Sequence, residues 1–164
     1  MDPRLYLTLA DRLMQSAKEG TAITGGTGAV ECRTSIGRAY YAAFLVARDF
    51  LEGLGIKVPN GSKCHSTVKD GLNNSGVSSL VIVSAQLGTL YDGRASADYK
   101  LQDRTTESTT NAEVAVTLSR LVIRMLDVIA SGGAMPPLDR AAVASTILKW
   151  AADAGQPLTR RLRQ

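Results

Sequence analysis

From Ile36 to Leu54 the chain carries the pattern that most restricts its fold. Ile36, Tyr40, Ala43, Phe44, Ala47, Leu51 and Leu54 recur at steps of three and four, which lines them along one side of an α-helix. Arg38, Tyr41 and Arg48 fall on the other side, so the polar face of this helix is basic. A second stretch repeats the theme with a fault in it. Leu80, Val83, Leu87, Leu90 and Tyr91 form an apolar stripe that runs into Arg94 and then Asp98 at the same spacing. Carrying an unpaired guanidinium into a packed face is costly. Arg94 therefore either has a partner there or marks the point where the stripe opens into a cleft or a subunit seam.

Other helices follow from the same spacing. Residues 2–19 carry Leu5, Leu9, Leu13 and Ala17 on one face, with Pro3 in the first turn. Gly20 and the TGGTG run at 24–28 then form a connector. That run is no P-loop, because Ala29 and Val30 follow it in place of Lys and Ser or Thr, and no strand precedes it. The main helix spans 29–53, and Gly37 within it costs roughly 1 kcal/mol of helix propensity against alanine, which a close helix crossing would explain. Ser62 is placed to cap a short third helix through Cys64, His65, Val68 and Leu72, and a fourth runs from 75–79 to about 96. The threonine-rich stretch 100–110 reads as an exposed loop. The fifth helix, 111–130, turns Ala115, Val116, Ser119, Val122, Ile123, Leu126 and Ile129 inward and Glu113, Arg120, Arg124 and Asp127 outward. After SGGAMPP at 131–137 comes a sixth helix, 138–152, and then a basic tail that reads as a solvated terminus or a nucleic-acid arm.

The expected fold class is all-α, an up-and-down bundle of four to five core helices with an additional C-terminal helix. Residues 1–131 form its main domain and 138–164 an appended helix and tail. Composition agrees: 164 residues suit one domain, and 45% hydrophobic with only 5% aromatic residues favours helix packing over a sandwich. A formal charge of +4 permits a polyanionic partner without demanding one. Cys32 and Cys64 have neither metal-ligand nor disulfide-framework spacing, and no signal peptide or membrane-length apolar run is present. A reduced, cytoplasmic setting without membrane association is the expectation.

The run Arg33-x-x-Ile36-x-Arg38-Ala39-Tyr40-Tyr41-Ala42-Ala43-Phe44 is followed by Leu54-Gly55-Ile56 and His65-Ser66-x-Val68. Leu87-x-x-Leu90-Tyr91-x-x-Arg94-x-x-Ala97-Asp98-Tyr99 then completes the series. Together these resemble the HEPN superfamily, and more closely the small stand-alone HEPN proteins found beside minimal nucleotidyltransferases, over about residues 2–130. The resemblance implies a helical bundle that forms a homodimer in which the ends of the motif-bearing helices face each other. It implies RNA as a partner and metal-independent endoribonuclease activity in toxin–antitoxin or phage-defence systems. An Arg stabilises the charged transition state while a His four to six residues later exchanges a proton, a scheme that calls for no cofactor or metal. Here the window after Arg94 holds Asp98, Tyr99 and Lys100 and no histidine. The family's Arg-x-x-Ala-Asp-Tyr variant is the matching form. It implies a second reading, a catalytically inactive module partnering a nucleotidyltransferase or a larger defence complex.

Candidate catalytic residues are then Arg94, Asp98, Tyr99 and His65, the only histidine in the chain. Arg94 reads equally as an ion pair with Asp98 one turn on. Tyr99 is a packing or hydrogen-bonding residue, or, by resemblance, a target of nucleotide transfer. His65 is as readily a packed helical residue. Arg33, Arg38, Tyr41 and Arg48 are the candidate RNA-binding face, cations with an aromatic between them. The plainer alternative pairs Arg38 with Asp98 or Glu52 and lets Tyr41 fill a gap between helices.

Overall fold

The computed structural model describes residues 1–23, 26–133 and 137–160, and among them the chain is all-helical apart from two two-residue strands. The helices are α1 (Arg4–Lys18), α2 (Ala29–Gly53), α3 (Cys64–Asn73), α4 (Ser78–Tyr99), α5 (Thr109–Ala130) and α6 (Arg140–Asp153). The strands are β1 (Ile56–Lys57) and β2 (Thr159–Arg160). The all-α expectation therefore holds, and α2 has the bounds its spacing indicates. Part of the glycine connector, Thr24 and Gly25, and most of the basic tail, 161–164, lie outside the described residues. No helix among the described residues is long and apolar enough to cross a membrane.

Two compact units make up the chain, one from Met1–Ala43 with Leu87–Ile123, the other from Phe44–Gln86 with Arg124–Gln164. In the first unit the N-terminal part of α2 is buried almost all round. Cys32, Ile36, Ala39, Tyr40, Ala42 and Ala43 are all inside, as the central helix of a packed unit requires. Two hydroxyls tie neighbours to it: buried Ser35 donates to the Ala10 carbonyl at 2.7 Å and buried Ser119 to the Ala39 carbonyl at 2.8 Å. Ion pairs of 2.7 Å join α1 to α5 at Lys18–Glu113 and Arg120–Asp11. The inward and outward residues expected for α5 are found buried and exposed respectively.

The close crossing expected to require Gly37 is not what is found: a Cβ at Gly37 would lie 3.5 Å from Asp98 Oδ1, and one at Gly93 would lie 3.6 Å from Ile36 Cγ2, both ordinary side-chain contacts between α2 and α4. Because 3.5 Å is ordinary contact, Gly37→Ala is expected to raise the free energy of unfolding by about 0.5–1 kcal/mol through helix propensity. Urea titration checks this, and a loss of more than that amount would mean that the crossing has no room for a methyl. Gly28 is different: its φ of +78° and its approach of 3.0 Å to the Ala17 Cβ both require glycine.

Four local expectations need correction. On α1 the buried residues are Ala10 and Met14, while Leu5 and Leu9 are 57% and 45% exposed. Tyr6, Ala10, Met14 and Ala17 share a second helical stripe. That stripe faces inward because its small residues allow Ser35 to reach the Ala10 carbonyl and Gly28 to sit against Ala17. Helix α3 starts after Lys63 with no side-chain cap, so Ser62 does not cap it. The stretch 100–110 is only partly loop: Arg104–Glu107 is a 3-10 turn capped by the Asp103 side chain, and Thr106 within it is buried. Helix α4 also runs one turn past the expected end, which makes Asp98 and Tyr99 helical.

In the second unit α3 packs with α6, and β1 pairs antiparallel with β2. The segment expected as an appendage contributes Val143, Ala144, Ile147, Ala151 and Leu158 as buried side chains. Asp139 caps α6 by accepting from the Ala141 and Ala142 amides.

Candidate nucleic-acid site

Arg94 occupies the place on α4 where the stripe Leu80, Val83, Leu87 and Leu90 would continue, and those four residues are buried. Its side chain is only 13% exposed, so the paired form expected of a cation on a packed face is the one found. Nε lies 2.7 Å from Asp98 Oδ2, with the N–H turned off the oxygen, which makes the contact an ion pair and not a directed hydrogen bond. A terminal guanidinium nitrogen donates to the Tyr99 hydroxyl at 3.2 Å. Burial works against the charge on Arg94, but Tyr41, Asp98 and Tyr99 favour it and hold the pKa above its ordinary value.

Around this pair the first unit gathers aromatic rings. The Arg94 guanidinium carbon lies 5.4 Å from the ring centroids of both Tyr41 and Tyr99, and Arg38 lies 5.9 Å from Tyr41 and 5.8 Å from Tyr6. Ring contacts of 5.5 to 6.4 Å link Tyr6 to Tyr41, Tyr41 to Tyr40 and Tyr40 to Tyr91. These are all five tyrosines of the chain. Contacts at such distances suit cation–π and tilted aromatic pairing. Beside them is a groove of about 350 Å³, lined by Val30, Arg33, Thr34, Gly37, Arg38, Tyr41, Ala97, Asp98 and Leu101. Of its lining residues Val30 and Leu101 are 56% and 69% exposed, and Tyr99, which bonds Arg94, is 72% exposed.

The expected site residues separate by their surroundings. Arg94, Asp98, Tyr99, Arg38 and Tyr41 come together in the first unit. Arg33 borders the same groove but faces inward along the backbone. It donates to the carbonyls of Ala97, Lys100, Leu101 and Asp103 and to the Glu107 carboxylate, and so closes the C-terminus of α4. Arg48 belongs to the second unit, where it bonds Glu52 at 3.0 Å and Asn60 at 2.9 Å. His65 is in the second unit as well, its ring centroid 4.4 Å from that of Phe44. The partners suggested for Arg38 are taken by others: Asp98 pairs with Arg94, and Glu52 pairs with Arg48. Among the described residues Arg38 has its two ring contacts and no carboxylate.

Tyr6, Tyr40 and Tyr91 were not expected in the site. The available signal was the alternative stripe through Tyr6 on α1, together with the confinement of so few tyrosines to three helices. Both cysteines are buried and free, and burial followed by the charges of Glu31 and Glu107 pushes the Cys32 thiol up, which keeps it protonated and unreactive near neutrality. Among the described residues no group of three His, Cys, Asp or Glu side chains is placed to hold a metal ion. No family model matches the chain, and no match is found among curated proteins or solved structures.

Proposed function

We propose that this chain is a HEPN-like RNA-binding protein that acts as a homodimer, with the Arg38–Tyr41–Arg94 groove as its RNA site. The observation that carries the reading is the convergence of two guanidinium groups on Tyr41, which lines an open groove, with the exposed Tyr99 bonded to one of them, Arg94. Unpaired bases stack on aromatic faces while cations take the phosphates. A net charge of +4 supports approach to a polyanion, and the exposed apolar Val30 and Leu101 offer surface to a base or to a second copy. A second reading, a catalytically inactive module that partners a nucleotidyltransferase or defence-complex protein, draws support from Arg94 itself. Its charge is already met by Asp98 and Tyr99, and no histidine follows it within the motif window.

Purified protein and Arg94→Ala incubated with total cellular RNA in EDTA separate the readings. The RNA-binding reading expects RNA to be retained by the protein in a salt-sensitive manner. Cleavage that disappears in Arg94→Ala adds metal-independent endoribonuclease activity. RNA that is neither retained nor cut leaves the protein-interaction module.

A further inference from the structure

The three arginines that line or flank the groove are unequal as phosphate ligands. Arg33 has its guanidinium spread over four backbone carbonyls and Glu107. Arg94 is 2.7 Å from a carboxylate and bonded to a phenol. Only Arg38 lacks an anionic partner among the described residues, and it lines the groove while lying over the rings of Tyr6 and Tyr41.

Resting on the RNA-binding reading, we propose that Arg38 is the phosphate anchor of the groove, and that Arg94 positions Tyr41 and Tyr99 without holding the phosphate itself. A guanidinium over aromatic rings is restrained in orientation but keeps its planar N–H fork, which matches two phosphate oxygens. Its ordering is supplied by Tyr6 on α1 and Tyr41 on α2 before any ligand arrives, which lowers the cost of binding. Arg94 would first have to leave Asp98. The Asp98 carboxylate also lines the groove, but its charge is met by Arg94 at 2.7 Å, so the cation left there for a phosphate is Arg38. The ligand is thus a single-stranded RNA phosphate whose neighbouring base stacks on an exposed tyrosine.

The test compares wild type, Arg38→Gln, Arg38→Lys and Arg94→Gln. Each is titrated with a fluorescein-labelled single-stranded RNA at several salt concentrations, and separately with inorganic phosphate while the arginine Nε–H signals are followed by NMR. Arg38→Gln is expected to weaken RNA binding about tenfold and to reduce the slope of log affinity against log salt by about 0.7, the amount for one single-strand phosphate. Arg38→Lys keeps that slope and loses only part of the affinity, while Arg94→Gln leaves the slope unchanged. Phosphate shifts the Arg38 Nε–H signal in wild type. Loss of the slope in Arg94→Gln, or unchanged RNA binding in Arg38→Gln, overturns the anchor assignment and leaves RNA binding standing. A phosphate shift at Arg38 in a protein that does not bind RNA keeps the anion site and removes the RNA reading. Arg38→Lys guards against a folding defect in Arg38→Gln, and thermal melts of all four proteins check it.

Discussion

Tyr40→Ala is expected to lower the free energy of unfolding by about 4 kcal/mol, in the range for an aromatic side chain removed from a packed interior. Tyr40 is 2% exposed, and its ring meets Tyr91 edge-on at 5.6 Å and Tyr41 at 5.5 Å. Truncation removes the ring contacts as well as the buried area, and each aromatic pair contributes about 0.5–1.5 kcal/mol beyond area burial. The cavity would lie under Tyr41, the ring that Arg38 and Arg94 both approach, so RNA affinity is expected to fall with stability. Tyr40→Phe keeps the ring and is expected to lose under half as much. Urea unfolding of both variants measures the difference, and equal losses would place the effect in the hydroxyl and not in the ring packing.

Arg33→Ala is expected to cost about 3 kcal/mol, since one substitution removes hydrogen bonds from a charged donor to several carbonyls at a helix end. Its donors reach Ala97 at 3.0 Å and Asp103 at 2.9 Å, and the side chain is only 13% exposed. Hydrogen exchange should show the loss concentrated in the last turn of α4 and in residues 100–107, with Asp98 and Tyr99 carried along. Uniform loosening of the protein would count against the clamp. The pH dependence has a definite sign. The Glu107 carboxyl lies below its ordinary range, chiefly through its bond from Arg104 and also through Arg33, with desolvation opposing. A depressed acid contributes stability that is present above the unfolded carboxylate value, about 4.3, and is lost as pH falls through the folded value. The Arg33→Ala defect should therefore shrink in acid, as pH falls from the unfolded carboxylate value through the lower folded one.

Much of this fold was legible because three- and four-residue spacing survives in sequence. It located α2 at roughly 29–53, with glycines marking its end, and it located the inward face of α5. It failed on α1, where two stripes compete and the leucine one is the more hydrophobic, but small residues and the Ser35 hydroxyl select the other. The site was legible in part. A charge at the end of an apolar stripe pointed to Arg94, and i to i+4 spacing pointed to Asp98. What spacing along one helix cannot carry is which donors are already spent. Arg33, Arg38 and Arg48 look alike as letters, yet backbone carbonyls claim the first, a carboxylate and an amide claim the third, and two rings flank the second. Tyr6 comes to the site from a separate helix, a pairing that only the packing of α1 decides.

The distribution of aromatic residues gives the molecule two internal optical reporters. Every tyrosine lies in the first unit, and the single tryptophan, Trp150, lies in the second. Tyrosine absorbance and tryptophan emission followed through one denaturation thus read the two units separately, without any label. Coincident curves would mean that α2, α4 and α5, each of which contributes residues to both units, melt as continuous rods. Displaced curves would identify which half of those helices frays first.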